Sequence, residues 1–250
     1  MLAIEDKKLL AMKLDNPQRV TEALAGAKLL NVDGRNIVFA PHIIESVMVL
    51  NNLGIKAPSP MLHYYDWPGR FTPYEHQKRT SAFLSITNRG LVLNEIGTGK
   101  TQSALWAADY LMQQGLIKKV LVISPLSTLE RVWGDAIFSG FHHRNFAVLH
   151  GTSKKRLKLL KTECDFYIIN HDGFKVIADE AVDMFDLVIV DEAAVYRNPS
   201  SQRFKFFKKW MDKHPTTRLW LMTGTPTPNE PTDAWALAKL VNNPFCPTRS

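Results

Sequence analysis

The stretch LNEIGTGKTQSALWAA, which begins at residue 93, combines residue types that bind phosphate. Gly99, Lys100 and Thr101 match the last three positions of the phosphate-binding pattern G-x-x-x-x-G-K-[ST], whereas Asn94 stands where the pattern has glycine. In such a loop, glycines allow the backbone to wrap a phosphate closely, the lysine reaches the outer phosphates and the threonine hydroxyl ligates Mg²⁺. The alternative is a lysine and a threonine that simply open a helix after a glycine turn.

A pair of carboxylates later in the chain could supply the second half of a nucleotide site. Asp191 and Glu192 end the segment DLVIVDE, whose apolar residues 187–190 predict a buried strand. Asp191 could hold Mg²⁺, and Glu192 could orient and deprotonate an attacking water, which are the two roles that nucleotide hydrolysis requires. An acidic helix N-cap is the alternative for each carboxylate.

Short apolar runs alternate with helical segments from residue 69 onward, and these elements must position both groups. The six strand candidates are GLVLN, KKVLVISP, NFAVLH, DFYIIN, DLVIVDE and RLWLMTGTP. Consecutive Val, Ile and Leu residues indicate strands buried on both faces. The alternation predicts an α/β fold with a parallel sheet flanked by helices. Because ligands of such sheets bind at the carboxyl ends of the strands, the loop and the carboxylates should face the same edge.

Residues 1–68 follow a different pattern, which predicts a small α+β accessory domain followed by a proline-rich linker. A stretch rich in Ala and Leu ahead of KLLNVDGRNIVFA predicts a helix, and Asp33-Gly34 between two apolar runs predicts a β-hairpin. A helix from Pro41 to about Leu53 should follow, with a buried face made of Ile43, Ile44, Val47 and Leu50. The proline-rich residues 56–73 predict a linker without regular structure. The domain boundary is expected near residue 69, with the second domain extending to residue 250.

The composition limits the class of protein. Lys and Arg outnumber Asp and Glu by 31 to 24 in 250 residues, and the resulting charge of +7 favours an acidic partner such as nucleic acid. Cys164 and Cys246 match neither a metal-ligand spacing nor a disulfide framework, which indicates a reducing compartment. No apolar run approaches the roughly 20 residues that span a bilayer, and the start lacks a signal-peptide pattern. We therefore expect a cytoplasmic protein with no membrane partner.

Five motifs resemble, in order and rough spacing, the first RecA-like lobe of Swi/Snf-type ATPases in helicase superfamily two. They are GTGKT, ISPLSTLERVW, IINHDGF, DEAA followed by RNPSSQR, and LMTGTPTPNEPTDAWAL, and together they cover residues 71 to about 243. Members of that family couple ATP hydrolysis to movement along DNA, which is usually duplex. The resemblance therefore implies ATP and Mg²⁺ as cofactors and DNA as a partner. It places the protein in the nucleoid, or in the host-cell cytoplasm if a phage encodes it.

The resemblance also implies a role for individual residues. The ATP-binding residues would be Gln77, Glu95, Ile96, Gly97, Thr98, Gly99, Lys100 and Thr101. Gln77 would read the adenine edge, since a carboxamide both donates and accepts hydrogen bonds. Thr101 and Asp191 would hold the metal, and Glu192 and Lys100 would be catalytic.

The same resemblance implies contacts to DNA. Ser127 and Thr128 would contact the DNA backbone, with helix capping as the alternative for both. The residues that connect the hydrolysis site to the DNA surface would be Thr223, Gly224 and Thr225.

The sequence departs from the family pattern at three points. Ala194 stands where the family often has histidine, and Asn94 where it often has aspartate. The family also hydrolyses ATP between two RecA-like lobes, and the pattern here accounts for one, so a second lobe is expected in cis or in trans. We therefore expect the sequence to be a fragment or a split gene product. Two other functions stay open: an RNA or single-strand helicase lobe, and a nucleotide-binding regulatory module that does not hydrolyse ATP.

Two basic segments are more typical of structure than of nucleic-acid binding. SKKRLKLLK, residues 153–161, predicts an amphipathic helix with a solvated face. In RFKFFKKWMDK, the helical spacing of Phe204, Phe207 and Trp210 predicts core packing rather than base stacking. The aromatic residues of HYYDWPGRF could fold over the adenine or pack the linker down, and we favour packing.

Overall fold

The computed structural model describes residues 2–5, 8–225 and 232–242, which fall into two compact units. The first unit extends to Asp66 and includes Ser85–Thr87; the second comprises Trp67–Leu84 and the chain from Asn88 onward. Residues 226–231 of the last motif, and Cys246, lie outside the described residues. Cys164 is buried as a free thiol.

The first unit contains a four-stranded antiparallel sheet in the order β1-β2-β4-β3. Its elements are β1 (Leu2–Glu5), β2 (Leu9–Met12), α1 (Gln18–Ala23), β3 (Lys28–Val32), β4 (Arg35–Pro41), α2 (Ile44–Asn52) and α3 (Met61–Tyr64). Leu10 and Met12 of β2, Val38 of β4, and Val47 and Leu50 of α2 pack together as its core. The predicted mixture of helix and strand in this region is confirmed.

The β-hairpin predicted at Asp33-Gly34 is confirmed. Val32 of β3 pairs with Arg35 of β4, so Asp33 and Gly34 form the entire turn. Both have positive φ, 49° at Asp33 and 75° at Gly34. This is the type I′ geometry whose twist matches that of the flanking strands, and it explains why Asp-Gly occurs here.

The helix predicted ahead of β3 is confirmed only for α1. The earlier part of the Ala- and Leu-rich sequence forms β1 and β2 instead. Ala and Leu favour helix locally, but β2 pairs with both β1 and β4 and buries Leu10 and Met12 completely. Tertiary pairing therefore overrides the local propensity.

The helix predicted from Pro41 is confirmed as α2, but it starts later, at Ile44, because Pro41 completes β4. Ile43 adopts an extended conformation before the helix and is 47% exposed, so its assignment to the buried face is wrong. The remaining three residues of that face, Ile44, Val47 and Leu50, are buried as predicted.

The proline-rich segment contains regular structure that the sequence analysis did not predict. The short helix α3 begins after Pro60, and the Ser59 hydroxyl accepts a hydrogen bond from the Met61 N–H at 3.2 Å. A buried histidine, His42, bonds the Tyr64 hydroxyl and the Pro58 carbonyl at 2.8 and 2.9 Å. Proline is compatible with the first turn of a helix, which is why the segment is not irregular throughout.

The second unit consists of a six-stranded sheet and its helices. Its strands are β5 (Arg89–Leu93), β6 (Val120–Ser124), β7 (Phe146–Val148), β8 (Phe166–Asn170), β9 (Leu187–Val190) and β10 (Arg218–Thr223). The α-helices are α4 (Glu75–Ser85, which ends in the first unit), α5 (Lys100–Gln113), α6 (Asp135–Gly140), α7 (Ser153–Leu160), α8 (Phe174–Ile177), α9 (Gln202–Lys213) and α10 (Thr232–Val241). Two 3₁₀ turns, Leu126–Thr128 and Ala193–Tyr196, and a π-helical turn, Leu129–Gly134, complete it.

The sheet has the order β5-β10-β9-β6-β8-β7, and every pair of neighbours is parallel. All six predicted strands are present, which confirms the RecA-like parallel sheet. Every residue of β6 and β9 is buried, as expected for central strands covered on both faces. Within the described residues, no helix is both long enough and apolar enough to cross a bilayer.

One face of the sheet packs against α7 to α10. Alternate strand residues such as Leu121, Ile169 and Val188 join the buried side chains of these helices in a single cluster. Phe204, Phe207 and Trp210 of α9 lie in that cluster, so the prediction that they are core residues is confirmed. The amphipathic helix predicted over residues 153–161 is confirmed as α7, with Leu160 buried.

The linker aromatics that were expected to pack down do so only in part. Trp67 meets Trp106 of α5 edge to face at 5.6 Å, and the Trp106 indole donates to the Pro68 carbonyl at 2.7 Å. Phe71, by contrast, is 74% exposed. The packing prediction is therefore right for Trp67 and wrong for Phe71.

Replacing Leu121 by Ala should destabilise the second unit by about 2–5 kcal/mol, since it removes a buried leucine from the central strand β6 and leaves a cavity. Val182→Ala, at a position that is 57% exposed, is the matched control and should change stability by less than about 0.5 kcal/mol. Urea unfolding followed by tryptophan fluorescence measures both. Equal midpoints for the two variants would contradict the burial assigned to β6.

Candidate nucleotide-binding site

The loop between β5 and α5 has the backbone geometry of a phosphate cradle. Gly97 and Gly99 have positive φ values of 83° and 76°, a conformation that side chains disfavour. Gly99 caps α5, which begins at Lys100, so the first N–H groups of the helix face this loop. Thr98 closes the turn by donating its hydroxyl to the Glu95 carbonyl at 2.8 Å.

Lys100 folds back onto the loop. Its ammonium donates to the Asn94 and Glu95 carbonyls at 3.0 and 2.9 Å, and the residue is only 8% exposed. Both acceptors are backbone carbonyls without formal charge. A buried ammonium held in this way has strong unused capacity to attract an anion.

The predicted adenine reader Gln77 lies directly against the loop. Its amide nitrogen donates to the Thr98 carbonyl at 3.2 Å, and its amide oxygen accepts from the Tyr74 N–H at 3.0 Å. A Cβ atom at position 99 would overlap the Gln77 amide, so glycine at this position permits the contact. Gln77 is therefore beside the site, with both ends of its carboxamide engaged by the protein.

Asn94, the departure from the glycine of the pattern, has a structural role. Its amide donates to the Thr80 hydroxyl at 3.1 Å, and that hydroxyl donates to the His76 carbonyl one helical turn earlier. The side chain thus ties the start of the loop to α4. A residue other than glycine is tolerated because its side chain reaches α4.

Asp191 follows β9 and is almost buried. Its N–H donates to the Ile123 carbonyl, while its carboxylate accepts from the Trp133 indole at 3.1 Å and from the Glu192 N–H at 3.0 Å. Burial raises the pKa of this carboxyl, against the opposing effects of the two hydrogen bonds and the Lys100 charge. The parallel pairing of β5 and β9 with β10 brings the loop lysine and Asp191 to one edge of the sheet.

Glu192 lies in the left-handed region, with φ 50° and ψ 50°. This conformation costs a residue other than glycine roughly 1–3 kcal/mol unless its surroundings hold it, and such strain clusters at functional sites. Burial and the adjacent Asp191 charge raise the pKa of the Glu192 carboxyl, and Lys100 lowers it. The two neighbouring carboxylates therefore share the influence of the Lys100 charge.

The segment Thr223-Gly224-Thr225 joins this group of residues. Thr223 is the last residue of β10 and pairs with Leu93, the last residue of β5 before the loop. The Thr223 hydroxyl accepts a hydrogen bond from the Thr225 N–H at 3.2 Å. A Cβ atom at Gly224 would stand 2.8 Å from Cγ1 of Ile96. Contact between the loop and this segment therefore depends on glycine at position 224.

Ser127 and Thr128 lie in the 3₁₀ turn after β6. Ser127 is exposed and borders a cleft of about 310 Å³ together with Arg131 and His150. The Thr128 hydroxyl donates to the Pro125 carbonyl at 2.9 Å and so stabilises the turn itself. Of the two predicted DNA contacts, Ser127 is the one whose side chain is free to meet a ligand.

His171, at the end of β8, is a buried histidine in which neither ring nitrogen has a hydrogen-bond partner among the described residues. Its ring meets that of Tyr196 edge to face at 5.6 Å. Burial lowers the pKa of His171 to about 4, so the ring is neutral at physiological pH. His171 belongs to the motif IINHDGF, whose pattern predicts no role for it.

The residues present fit ATP and Mg²⁺. The described residues contain no group of three or more His, Cys, Asp or Glu side chains arranged for a metal. Mg²⁺ at phosphate sites typically binds one or two protein oxygens, with substrate phosphates and water completing the shell. Asp191 and the half-buried Thr101 could supply those oxygens, and the phosphates would complete the set.

The structure thus brings together three of the predicted groups: the loop 94–101, Asp191-Glu192 and Thr223–Thr225. Ser127 and Thr128 follow a neighbouring strand. The hydrogen bond from Trp133 to Asp191 links their segment to the site. Trp133 was missed because one tryptophan within an apolar helical stretch is typical of core. The individual roles of all these residues stay predictions.

Comparison with known proteins places the chain among ATPase lobes of the RecA-like class. The family model of the SNF2-related domain matches residues 44–249. This match begins before residue 71, which is where the resemblance of the motifs begins. The chain belongs to this family, and the resemblance to Swi/Snf-type ATPases is confirmed.

Similar proteins include a phage protein and a bacterial one. Protein p41 of Acyrthosiphon pisum secondary endosymbiont phage 1 is 30% identical over 183 residues, which are 69% of this chain and 39% of that protein. The uncharacterized ATP-dependent helicase YqhH of Bacillus subtilis is 24% identical over 176 residues, which cover 68% of this chain and 29% of the helicase. The chain therefore spans well under half the length of both relatives.

A solved structure shows the same fold. The Sulfolobus solfataricus SWI2/SNF2 ATPase core in complex with dsDNA superposes with a TM-score of 0.58 and 20% identity. The match covers 70% of this chain and 36% of that one.

Replacing Lys100 by Ala should lower nucleotide affinity at least about tenfold, because hydrogen bonds to charged groups contribute about 1.5–3 kcal/mol each. Titration with a fluorescent ATP analogue measures the affinity. Lys154→Ala, which removes an exposed lysine from α7, is the control and should bind normally. Unchanged affinity in Lys100→Ala would exclude this loop as the phosphate site.

Replacing Gly224 by Ala should weaken nucleotide binding about tenfold, because overpacking against Ile96 costs about 1–3 kcal/mol and displaces the loop. Ile96→Ala combined with Gly224→Ala removes the collision and should recover most of the affinity. Ile96→Ala alone is measured as the reference for the double variant, because this exposed side chain belongs to the predicted ATP-binding loop. If the double variant binds as weakly as Gly224→Ala, the contact does not set the loop conformation.

Proposed function

We propose that this chain is the ATP-binding lobe of a DNA-dependent ATPase that couples ATP hydrolysis to movement on duplex DNA. The observation that carries the proposal is the convergence of the Lys100 loop with Asp191 and Glu192, which follow β5 and β9, two strands that both pair in parallel with β10. A loop alone would bind phosphate; the added carboxylates favour hydrolysis.

The chemistry follows from the positions of these side chains. The N–H groups at the start of α5 and the Lys100 ammonium would bind the phosphates. To do so, Lys100 must give up its hydrogen bonds to the two backbone carbonyls and form new ones to phosphate oxygens. Thr101 and Asp191 would hold Mg²⁺, which when bound neutralises charge on the phosphate oxygens. Glu192 would orient the attacking water and take its proton. A carboxyl with a raised pKa is a stronger base than an ordinary glutamate, which suits that role.

Three observations support DNA as the partner. The chain carries a net charge of +7. Ser127 is exposed beside Arg131 and His150, a combination that suits a phosphate backbone. The similar Sulfolobus solfataricus core is described in complex with dsDNA, which favours a duplex over single strands or RNA.

We further propose that a second RecA-like lobe, in cis or in trans, completes the catalytic site. The chain spans 39% of the phage relative and 36% of the structural neighbour, which leaves room in those proteins for another lobe. A cation from that lobe would stabilise the charge that develops on the transferred phosphoryl group.

Steady-state ATP hydrolysis tests the proposal. The chain is assayed alone and with duplex DNA, single-stranded DNA or RNA, and Lys100→Ala serves as the background. Strongest stimulation by duplex DNA supports the translocase function, whereas stimulation by RNA or single strands alone favours the other helicase class. ATP binding without turnover, even with a second lobe added, would favour a regulatory module.

Replacing Glu192 by Gln should leave nucleotide affinity within about twofold, because the isosteric side chain does not bind the phosphates. Turnover should fall by about a hundredfold or more, since an amide cannot accept the proton. Glu180→Gln, at an exposed position before β9, is the matched control. The hydrolysis rate is measured under the conditions in which the wild-type protein hydrolyses ATP. A rate in Glu192→Gln equal to that of the wild type would rule Glu192 out as the base.

A further inference from the structure

The Trp133 indole donates a hydrogen bond to Oδ2 of Asp191 at 3.1 Å. Trp133 is fully buried and Asp191 is 8% exposed, so water does not compete effectively for this bond. A hydrogen bond to a charged acceptor in a buried setting is stronger than a neutral one and fixes the orientation of the carboxylate. Trp133 therefore determines how Asp191 faces the loop.

The other carboxylate oxygen, Oδ1, accepts from the Glu192 N–H. Each oxygen thus has one protein donor, and each keeps further acceptor capacity that a cation could use. Without the indole, the carboxylate could rotate about its terminal torsion, which is broad. Lys100, whose charge already acts on Asp191, would then draw it toward the loop.

The backbone that carries Trp133 has unusual geometry. The segment runs from the 3₁₀ turn Leu126–Thr128 directly into the π-helical turn Leu129–Gly134. A π turn takes more residues than an α turn, so the direction in which Trp133 points depends on this turn being kept. Gly134 fixes the end of the turn, since a Cβ there would stand 3.3 Å from the Phe146 ring of β7.

We propose that Trp133 is a positioning residue that holds Asp191 for Mg²⁺ and links it to the surface at Ser127 and Thr128. The inference rests on the proposed function, in which Asp191 binds the metal and the 3₁₀ turn meets DNA. Because one continuous segment of nine residues, Leu126 to Gly134, carries both the exposed Ser127 and the buried indole, a ligand that shifts the turn also shifts the donor on Asp191.

The first test measures how nucleotide affinity depends on Mg²⁺. In Trp133→Phe, which removes the donor but keeps an aromatic ring, half-maximal binding of a fluorescent ATP analogue should require about tenfold more Mg²⁺, the usual effect of losing a partner of a metal ligand. Affinity without Mg²⁺ should not change. The matched control is Trp210→Phe, because Trp210 is 7% exposed and donates its indole N–H to the Ala178 carbonyl at 3.0 Å.

The outcomes separate the inference from the proposed function. If Mg²⁺ does not affect nucleotide binding by the wild-type chain, the metal role of Asp191 fails and the proposed function with it. If Mg²⁺ matters and Trp133→Phe behaves like wild type, the inference alone is overturned. An equal shift in Trp210→Phe would also overturn it, since the effect would then reflect general destabilisation.

An isosteric analogue excludes a folding artefact. Thermal unfolding is recorded for each variant, and if Trp133→Phe does not fold, benzothienylalanine at position 133 keeps the bicyclic shape while sulfur replaces the N–H. The analogue should show the same increase in Mg²⁺ requirement. A wild-type Mg²⁺ requirement with the analogue would overturn the inference.

The second test addresses the link to DNA. Duplex DNA should raise the Mg²⁺-dependent nucleotide affinity of the wild-type chain, and Trp133→Phe should bind the duplex equally well but lose most of that gain. A gain that persists in Trp133→Phe, or is absent from the wild type, would overturn the link. Binding of the duplex is followed separately, by anisotropy of a labelled duplex.

Discussion

The parallel register of the central strands is the constraint on which the candidate site depends. Leu93 of β5 pairs with Thr223 of β10, while Val190 of β9 pairs with Leu221 and with Ile123 of β6. All four strands therefore end within a few residues of one another, at one edge. The glycine-rich loop, the two carboxylates and the Thr223 segment each follow one of these strands directly. A shift of one residue in any pairing would reverse the faces of that strand and remove its contribution.

Charge balance within this edge explains why the site is suited to an anion. Burial raises the pKa of both carboxyls, and the Lys100 charge opposes that effect on each. Lys100 itself is hydrogen-bonded to uncharged carbonyls. Electrostatic interactions are strong in a poorly hydrated site, so the cation lowers the cost of two neighbouring acidic groups. A bound phosphate would add negative charge, and a divalent cation beside Asp191 would offset it. ATP and metal are thus expected to bind together.

The sequence was sufficient for features that depend on local pattern. Consecutive apolar residues predicted all six parallel strands, and Asp33-Gly34 predicted its hairpin. It failed where long-range contacts decide: the Ala- and Leu-rich start became β1 and β2 because β4 pairs with β2. The candidate site shows the same division. Gly99 and Asp191 can be found from motifs. The role inferred for Trp133 depends on its hydrogen bond to Asp191, which is 58 residues away in the sequence. No spacing rule connects residues that meet only through the fold.

Gln77 illustrates how the structure refines a role derived from a motif. Its carboxamide already donates to Thr98 and accepts from Tyr74, so a base would either use the remaining N–H and oxygen lone pair or replace these partners. Exchanging one set of hydrogen bonds for an equivalent set costs little, whereas leaving a half-buried donor or acceptor unpaired costs about 1–3 kcal/mol. Adenine can replace both partners, because it offers a donor and an acceptor on adjacent atoms. Since Thr98 belongs to the phosphate loop, such an exchange would remove one contact between that loop and α4, while the contacts of Asn94 with Thr80 and of His76 with Thr98 would remain.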